Sequence, residues 1–251
     1  MDETTEKDTE LSQDEQAEAA QEADQSTDGA AAEQEPAPYE GPVRYGFVID
    51  TWFCVGCQSC AIACKIENNV PDGVRWNKVM NLGGGNMNTP TGVYPDLTRG
   101  YYTLACQHCE NPACVASCPT GASSKDPETG IVTMAYEDCI GCQSCIQACP
   151  YEGVRTYIDG EPPYSVEMAI GDKDIQPHVA NVVEKCTMCV HRVGRGEQPA
   201  CVDACKNYAR HWGNLEDPNS EVSQLLATRE YYQLQPEDGT EPNVYYLKPL
   251  R

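Results

Sequence analysis

Phenylalanine occurs only twice and tryptophan three times in 251 residues. The hydrophobic share is 40%, and cysteine supplies much of it, so a wide apolar core cannot be the main source of cohesion and something else must hold the chain together. Basic residues are scarce too: 17 Lys and Arg face 39 Asp and Glu, a formal net charge of -22 that argues against nucleic acid as a partner. No apolar run reaches the roughly 18 residues of a membrane span. The N-terminus has no basic region, twin-arginine pair or apolar stretch, so a separate export signal is not expected.

Much of the negative charge is local. Residues 1–40 hold 14 acidic residues and one Lys, a net of -13, which leaves -9 for the remainder. A segment so rich in Glu, Asp, Gln and Ala buries too little apolar surface to offset its chain entropy, so residues 1–40 are expected to be disordered, as linker, solubility tail or partner tether.

What the chain has in excess is cysteine, sixteen residues in four tight groups. Cys139, Cys142, Cys145 and Cys149 with Pro150 form C-x2-C-x2-C-x3-C-P, in which three thiolates converge on one Fe-S cube and the fourth is carried away to a neighbouring one. Cys54, Cys57, Cys60 and Cys64 repeat the spacing, with Lys65 in place of the proline. Cys106, Cys109, Cys114 and Cys118 end in Pro119, and Cys186, Cys189, Cys201 and Cys205 end in Lys206. A disulfide framework scatters its partners across loops, and structural zinc has no use for the x3-C-P ending, so neither fits.

The residue after the last cysteine divides the groups. The inner two end in Cys-Pro and the outer two in Cys-Lys, which predicts nested pairs and four 4Fe-4S clusters. Cys106, Cys109 and Cys114 are expected to share a cluster with Cys149, and Cys139, Cys142 and Cys145 with Cys118. In the outer pair, Cys54, Cys57 and Cys60 join Cys205, while Cys186, Cys189 and Cys201 join Cys64. With every cysteine used, no iron keeps an open position, so single-electron relay is expected rather than catalysis at a cluster. Lys65 and Lys206 either bring positive charge to the outer pair or are solvated. His108 and His191 either donate to a cluster sulfur or cap a loop or face a partner.

The pattern predicts an α+β chain of two pseudo-twofold-related ferredoxin-like dicluster modules with long loops and few regular elements. Residues 41–215 form the four-cluster domain, and 216–251 a C-terminal helix and extension packing on it. Strands are expected near 45–49, 74–82, 131–135, 154–158, 208–213 and 244–247. Asn111-Pro112 reads as a helix cap, 83–100 as a long loop, and a helix is expected over about 219–229 with Asp217 and Pro218 at its start.

The sequence resembles the four-cluster iron-sulfur subunit of the dimethyl sulfoxide reductase family of molybdopterin oxidoreductases, which includes similar subunits of polysulfide, tetrathionate and nitrite-type reductases. The resemblance is carried by residues 54–69, Cys106-Gln-His-Cys-Glu-Asn-Pro-Ala-Cys, 139–155, Glu184-Lys-Cys-Thr-Met-Cys-Val-His-Arg, 217–222 and 244–247. It implies electron transfer between a quinol-linked membrane anchor, or another donor, and a catalytic subunit holding a molybdenum or tungsten pterin cofactor. It also implies the nested ligand assignment above, and co-export with the catalytic subunit to the extracytoplasmic face, the alternative being cytoplasmic. Lys206-Asn207-Tyr208 departs from the Pro-Thr-Gly of many relatives. Two other readings stay open: a formate dehydrogenase or hydrogenase subunit, and a free-standing soluble polyferredoxin.

Overall fold

The computed structural model describes residues 38–165 and 170–250. The acidic segment expected at 1–40 therefore lies outside the described residues apart from its last three positions. From Tyr39 onward the chain forms one contact unit.

Strand β1 (Tyr45–Asp50) is buried along nearly its whole length, on both faces. It lies inside a four-stranded sheet of order β8-β1-β10-β9, where β8 is Arg210–Asn214, β9 Tyr231–Tyr232 and β10 Val244–Leu247. Phe47 and Ile49 pack toward Met188, Cys201 and Ile131, while Val48 packs with Val222 and Leu247 on the other side. β1 runs parallel to β10 and antiparallel to β8. The remaining sheets are two-stranded: β2 (Lys78–Asn81) with β3 (Tyr101–Leu104), β4 (Ser123–Lys125) with β5 (Val132–Met134), and β6 (Arg155–Tyr157) with β7 (Val183–Lys185).

Helices are short and follow cysteines. α1 (Ser59–Glu67) carries Cys60 and Cys64, α2 (Ala113–Ala116) Cys114, α3 (Ser144–Gln147) Cys145, and α5 (Ala200–Asp203) Cys201. α4 (Val190–Val193) follows Cys189, and α6 (Glu221–Thr228) covers the large sheet. Along the chain the order is β1, cysteines 54–64, β2, β3, cysteines 106–118, β4, followed by β5, cysteines 139–149, β6, β7, cysteines 186–205, β8. The second run repeats the first.

Several expected boundaries moved. The strand at 74–82 contracts to Lys78–Asn81, because Val74 and Trp76 turn into a core with Cys64, Cys106 and Tyr151. Pro112, not Asn111, occupies the N-cap of α2, and the Asn111 amide instead donates to Glu241 Oε1 at 3.0 Å. Helix α6 starts at Glu221, capped by Ser220 Oγ, which accepts from Ser223 N at 3.2 Å; Asp217 serves the turn before it, accepting from Asn219 N at 2.8 Å.

The loops of the first and third cysteine groups share one shape. Gly56 and Gly141 have φ of +71° and +66°, and Gln58 and Gln143, two residues further on, are left-handed at 65° and 60°. These positive φ values curl the chain tightly between its closely spaced cysteines, and glycine carries the first of them without strain. A Cβ at Gly141 would meet the Asn181 carbonyl oxygen at 2.5 Å, and a backbone atom cannot swing aside. Gly121, at φ +77°, has open space around it.

Gly121→Ala is therefore expected to cost only the left-handed penalty of about 1–2 kcal/mol. Gly141→Ala should lower the thermal midpoint distinctly further; equal midpoints would refute the steric account. At α6, Ser220→Ala should lower local stability by about 1 kcal/mol in amide exchange, while Asp217→Ala leaves the helix protected.

Candidate metal centre

All sixteen cysteines are free thiols, and nine of them are buried. Their distribution over the packed interior follows the fold. Cys54, Cys57, Cys60 and Cys205 line one pocket together with Thr103 and Arg210. Cys64, Cys186, Cys106, Cys109 and Cys149 share one core, and Cys114, Cys118, Cys139 and Cys145 share another. Cys60 and Cys201 belong to a third, which bridges the pocket to the interior. In the pocket and the first two cores, the last cysteine of one group lies beside earlier cysteines of another. The packing of α1 against α5, and of α2 against α3, is what brings them there.

The electrostatics show how crowded this sulfur is. Burial, then the neighbouring thiolates of Cys186, Cys201 and Cys189, raises Cys64 well above the usual thiol range. Cys109 and Cys186 are each pushed up to about 12, and Cys149 and Cys189 to about 11, in every case first by burial. Cys106 is the exception: burial works to raise it, but His108, Lys185 and Arg155 together bring it well below the usual value. Thiolates gathered in this way repel one another unless cations share them, and iron is such a cation.

Donors already face the sulfurs. The backbone amides of Ser123, Met188 and Ala209 donate to Cys118, Cys186 and Cys205 Sγ at 3.4, 3.4 and 3.3 Å, and the Arg155 guanidinium donates to Cys114 Sγ at 2.9 Å. The Asn68 amide donates to Cys189 Sγ at 3.6 Å. His108 and Arg210 are among the buried side chains with a donor that has no acceptor. Val132 N donates to His108 Nδ1 at 3.1 Å, so a neutral imidazole carries its proton on Nε2, and that atom has no partner; neither does Arg210 Nε. Buried orphan donors beside thiols are what a site shaped for sulfide-bearing clusters leaves behind, so the residues fit 4Fe-4S groups.

The charged residues singled out from sequence fall elsewhere. Lys65 Nζ donates to the Val70 and Pro71 carbonyls, and exposed Lys206 to the Asp203 carbonyl. His191 Nε2 pairs with Glu67 Oε1 at 3.0 Å rather than with a sulfur. Glu67, Asp172 and His191 bring their ligand atoms within 4.8 Å of one another, yet Arg192 and Arg195 already neutralise the two carboxylates at 3.3 and 2.7 Å. Sequence reasoning missed Arg155, Lys185 and Arg210, all buried. The available signal was their place in a chain poor in cations: Lys185 directly before Cys186, and Arg155 and Arg210 opening the strands that follow the third and fourth groups.

No helix among the described residues is long and apolar enough to cross a membrane. The chain matches the 4Fe-4S dicluster domain family over residues 98–161 and 172–215. It is 46% identical over 210 residues to a Halobacterium salinarum protein named as an iron-sulfur subunit of a dimethyl sulfoxide reductase, covering 81% of this chain and 79% of that protein. It is 37% identical over 236 residues to the arsenate respiratory reductase iron-sulfur subunit ArrB of a Shewanella species, covering 82% and 97%. With Protein NrfC of Escherichia coli it shares 39% identity over 204 residues, covering 81% and 80%. Two dicluster segments and sixteen cysteines amount to four 4Fe-4S clusters. The chain thus belongs to the family of iron-sulfur subunits of dimethyl sulfoxide reductase-type molybdopterin oxidoreductases.

Proposed function

We propose that this chain relays single electrons between a donor, such as a quinol-linked membrane anchor, and a molybdopterin catalytic subunit of a reductase. The observation that carries the reading is the interleaving of the groups: Cys205 lies with Cys54, Cys57 and Cys60, Cys64 with Cys186, Cys149 with Cys106 and Cys109, and Cys118 with Cys139 and Cys145. It supports the nested assignment: Cys54, Cys57, Cys60 and Cys205 as one ligand set, then Cys64, Cys186, Cys189 and Cys201, then Cys106, Cys109, Cys114 and Cys149, and last Cys118, Cys139, Cys142 and Cys145. The clusters supply one-electron storage, and the chain supplies spacing, burial and charge.

Neighbouring sets are linked in that order. Cys60 packs with Cys201, Cys186 shares a core with Cys106, and Cys114 shares one with Cys145. At the two ends of the series, Cys57 and Cys142 are exposed. Electrons can therefore enter at one end and leave at the other, with the middle two sets shielded from solvent. Around Cys57, Trp52, Phe53, Val55 and Tyr208 leave large apolar surface exposed, which suits a fixed subunit contact better than transient encounters.

The repeated element order supports a pseudo-twofold relation between two ferredoxin-like modules, with β1 pairing β8 across one end and β4 pairing β5 across the other. Residues 41–215 are then the four-cluster domain and 216–251 the extension packed on it. Placement on the extracytoplasmic face follows if the catalytic subunit carries the export signal, the alternative being cytoplasmic.

Anaerobic isolation of the tagged protein from its own cells should yield about sixteen iron per chain, four in each of four clusters, with molybdenum or tungsten on a co-purifying large subunit. The same iron with no pterin metal and no stable partner would establish a free polyferredoxin instead. Cys149→Ala should perturb the paramagnetic signal of the cluster held by Cys106, Cys109 and Cys114; an unchanged signal would refute the crossed assignment.

A further inference from the structure

Three cations lie in the interior without a carboxylate. Lys185 is 1% exposed, and Arg155 and Arg210 are each 5% exposed; among the described residues none of the three forms a salt bridge. A buried unpaired cation is strongly unfavourable, so each must be balanced by negative charge that is not a carboxylate. Lys185 and Arg155 sharpen the point, because they face each other directly across β6 and β7. Like charges opposite one another destabilise a sheet unless something anionic lies between or beside them.

Their positions relative to the thiols differ in a regular way. Arg210 opens β8, lines the pocket of Cys54, Cys57, Cys60 and Cys205, and feels the thiolates of Cys201 and Cys60 most strongly after burial. Lys185 Nζ donates to the Cys186 carbonyl at 2.9 Å and to the Val132 carbonyl. Val132 also holds His108 of the second group, and the Lys185 charge reaches both Cys106 and Cys186. Arg155 donates to Cys114 Sγ at 2.9 Å and to Ser123 Oγ at 3.0 Å, within reach of the Cys145 thiolate. One buried cation thus lies at each of the three junctions in the series of four sulfur sets.

We propose that Arg210, Lys185 and Arg155 are junction charges, each fixing the reduction potentials of the two clusters that flank it and of no others. A cluster gains a negative charge on reduction, and a fixed cation in a low-dielectric junction favours that state on both sides. It also offsets the repulsion that an electron on one cluster exerts on an electron arriving at the next. The inference rests on the ligand assignment proposed above.

The test is a redox titration of the holoprotein, followed by electron paramagnetic resonance, on charge-removing variants and their charge-keeping partners. Lys185→Met should lower the potentials of the two middle clusters by at least tenfold in the one-electron equilibrium, about 59 mV, and leave the end clusters in place. Arg155→Gln should lower one middle cluster and the cluster of Cys139, Cys142 and Cys145. Lys185→Arg and Arg155→Lys should stay near the unsubstituted values. A uniform shift of all four clusters, or none, in iron-replete protein overturns the proposal. If a charge-removing variant loses iron, retention of iron by its charge-keeping partner supports the charge role, and loss in both overturns it. Failure of the ligand assignment itself is read separately, from the Cys149→Ala spectrum of otherwise unsubstituted protein.

Discussion

Sixteen thiolates gathered into a small interior are the constraint on which the rest of this structure depends. Each cluster brings negative charge into a region from which most water is excluded, and that charge has to be met by iron, by hydrogen bonds and by cations. The structure answers at all three levels. Cysteines of different groups share the pocket and the cores, backbone amides of Ser123, Met188 and Ala209 point at sulfur, and Arg155, Lys185 and Arg210 lie buried without carboxylates. A chain with two phenylalanines can place cations inside because its interior is anionic rather than oily.

The regular elements are correspondingly brief. Apart from β1, β8, α1 and α6, they run to four residues or fewer. Segments this short gain little from their own backbone bonding, and here they serve mainly to aim cysteines at one another. Apo protein would therefore retain few contacts able to hold α1 against α5 or α2 against α3, and folding should be coupled to iron binding.

How much of this could be read in the sequence differs by kind of residue. The four cysteine groups and the clusters they imply were legible because close spacing is a direct consequence of wrapping a cube. β1, β5, β6, β8, β10 and α6 were legible from their apolar content, with boundaries shifted by a few positions. β3, β4, β7 and β9 were not. Ser123–Lys125 has no apolar residue and buries only Ser123, while Val183–Lys185 is buried at all three positions, Glu184 and Lys185 included, so the usual alternation of apolar and polar positions is absent. Lys65 and Lys206 drew attention because each directly follows the last cysteine of a group, whereas Lys185 precedes a first one, and the usual expectation that cations lie outside gave no reason to look there. It fails where the core is made of thiolate.

The two halves of the repeat are alike in topology but not in charge. Lys185 closes β7 where Leu104 closes β3, and Arg210 opens β8 where Ser123 opens β4. Arg155 opens β6 and is buried, while its counterpart Lys78 is only partly buried and reaches out to the Gly153 carbonyl. A repeat with equal charges in both halves would give matched pairs of clusters and no electrostatic reason for an electron to prefer either direction. All three buried cations come from the second half, so the environments along the series are unequal. That inequality is supplied by strand-end residues outside the cysteine groups, so charge along the series can differ while the repeated order of elements is kept.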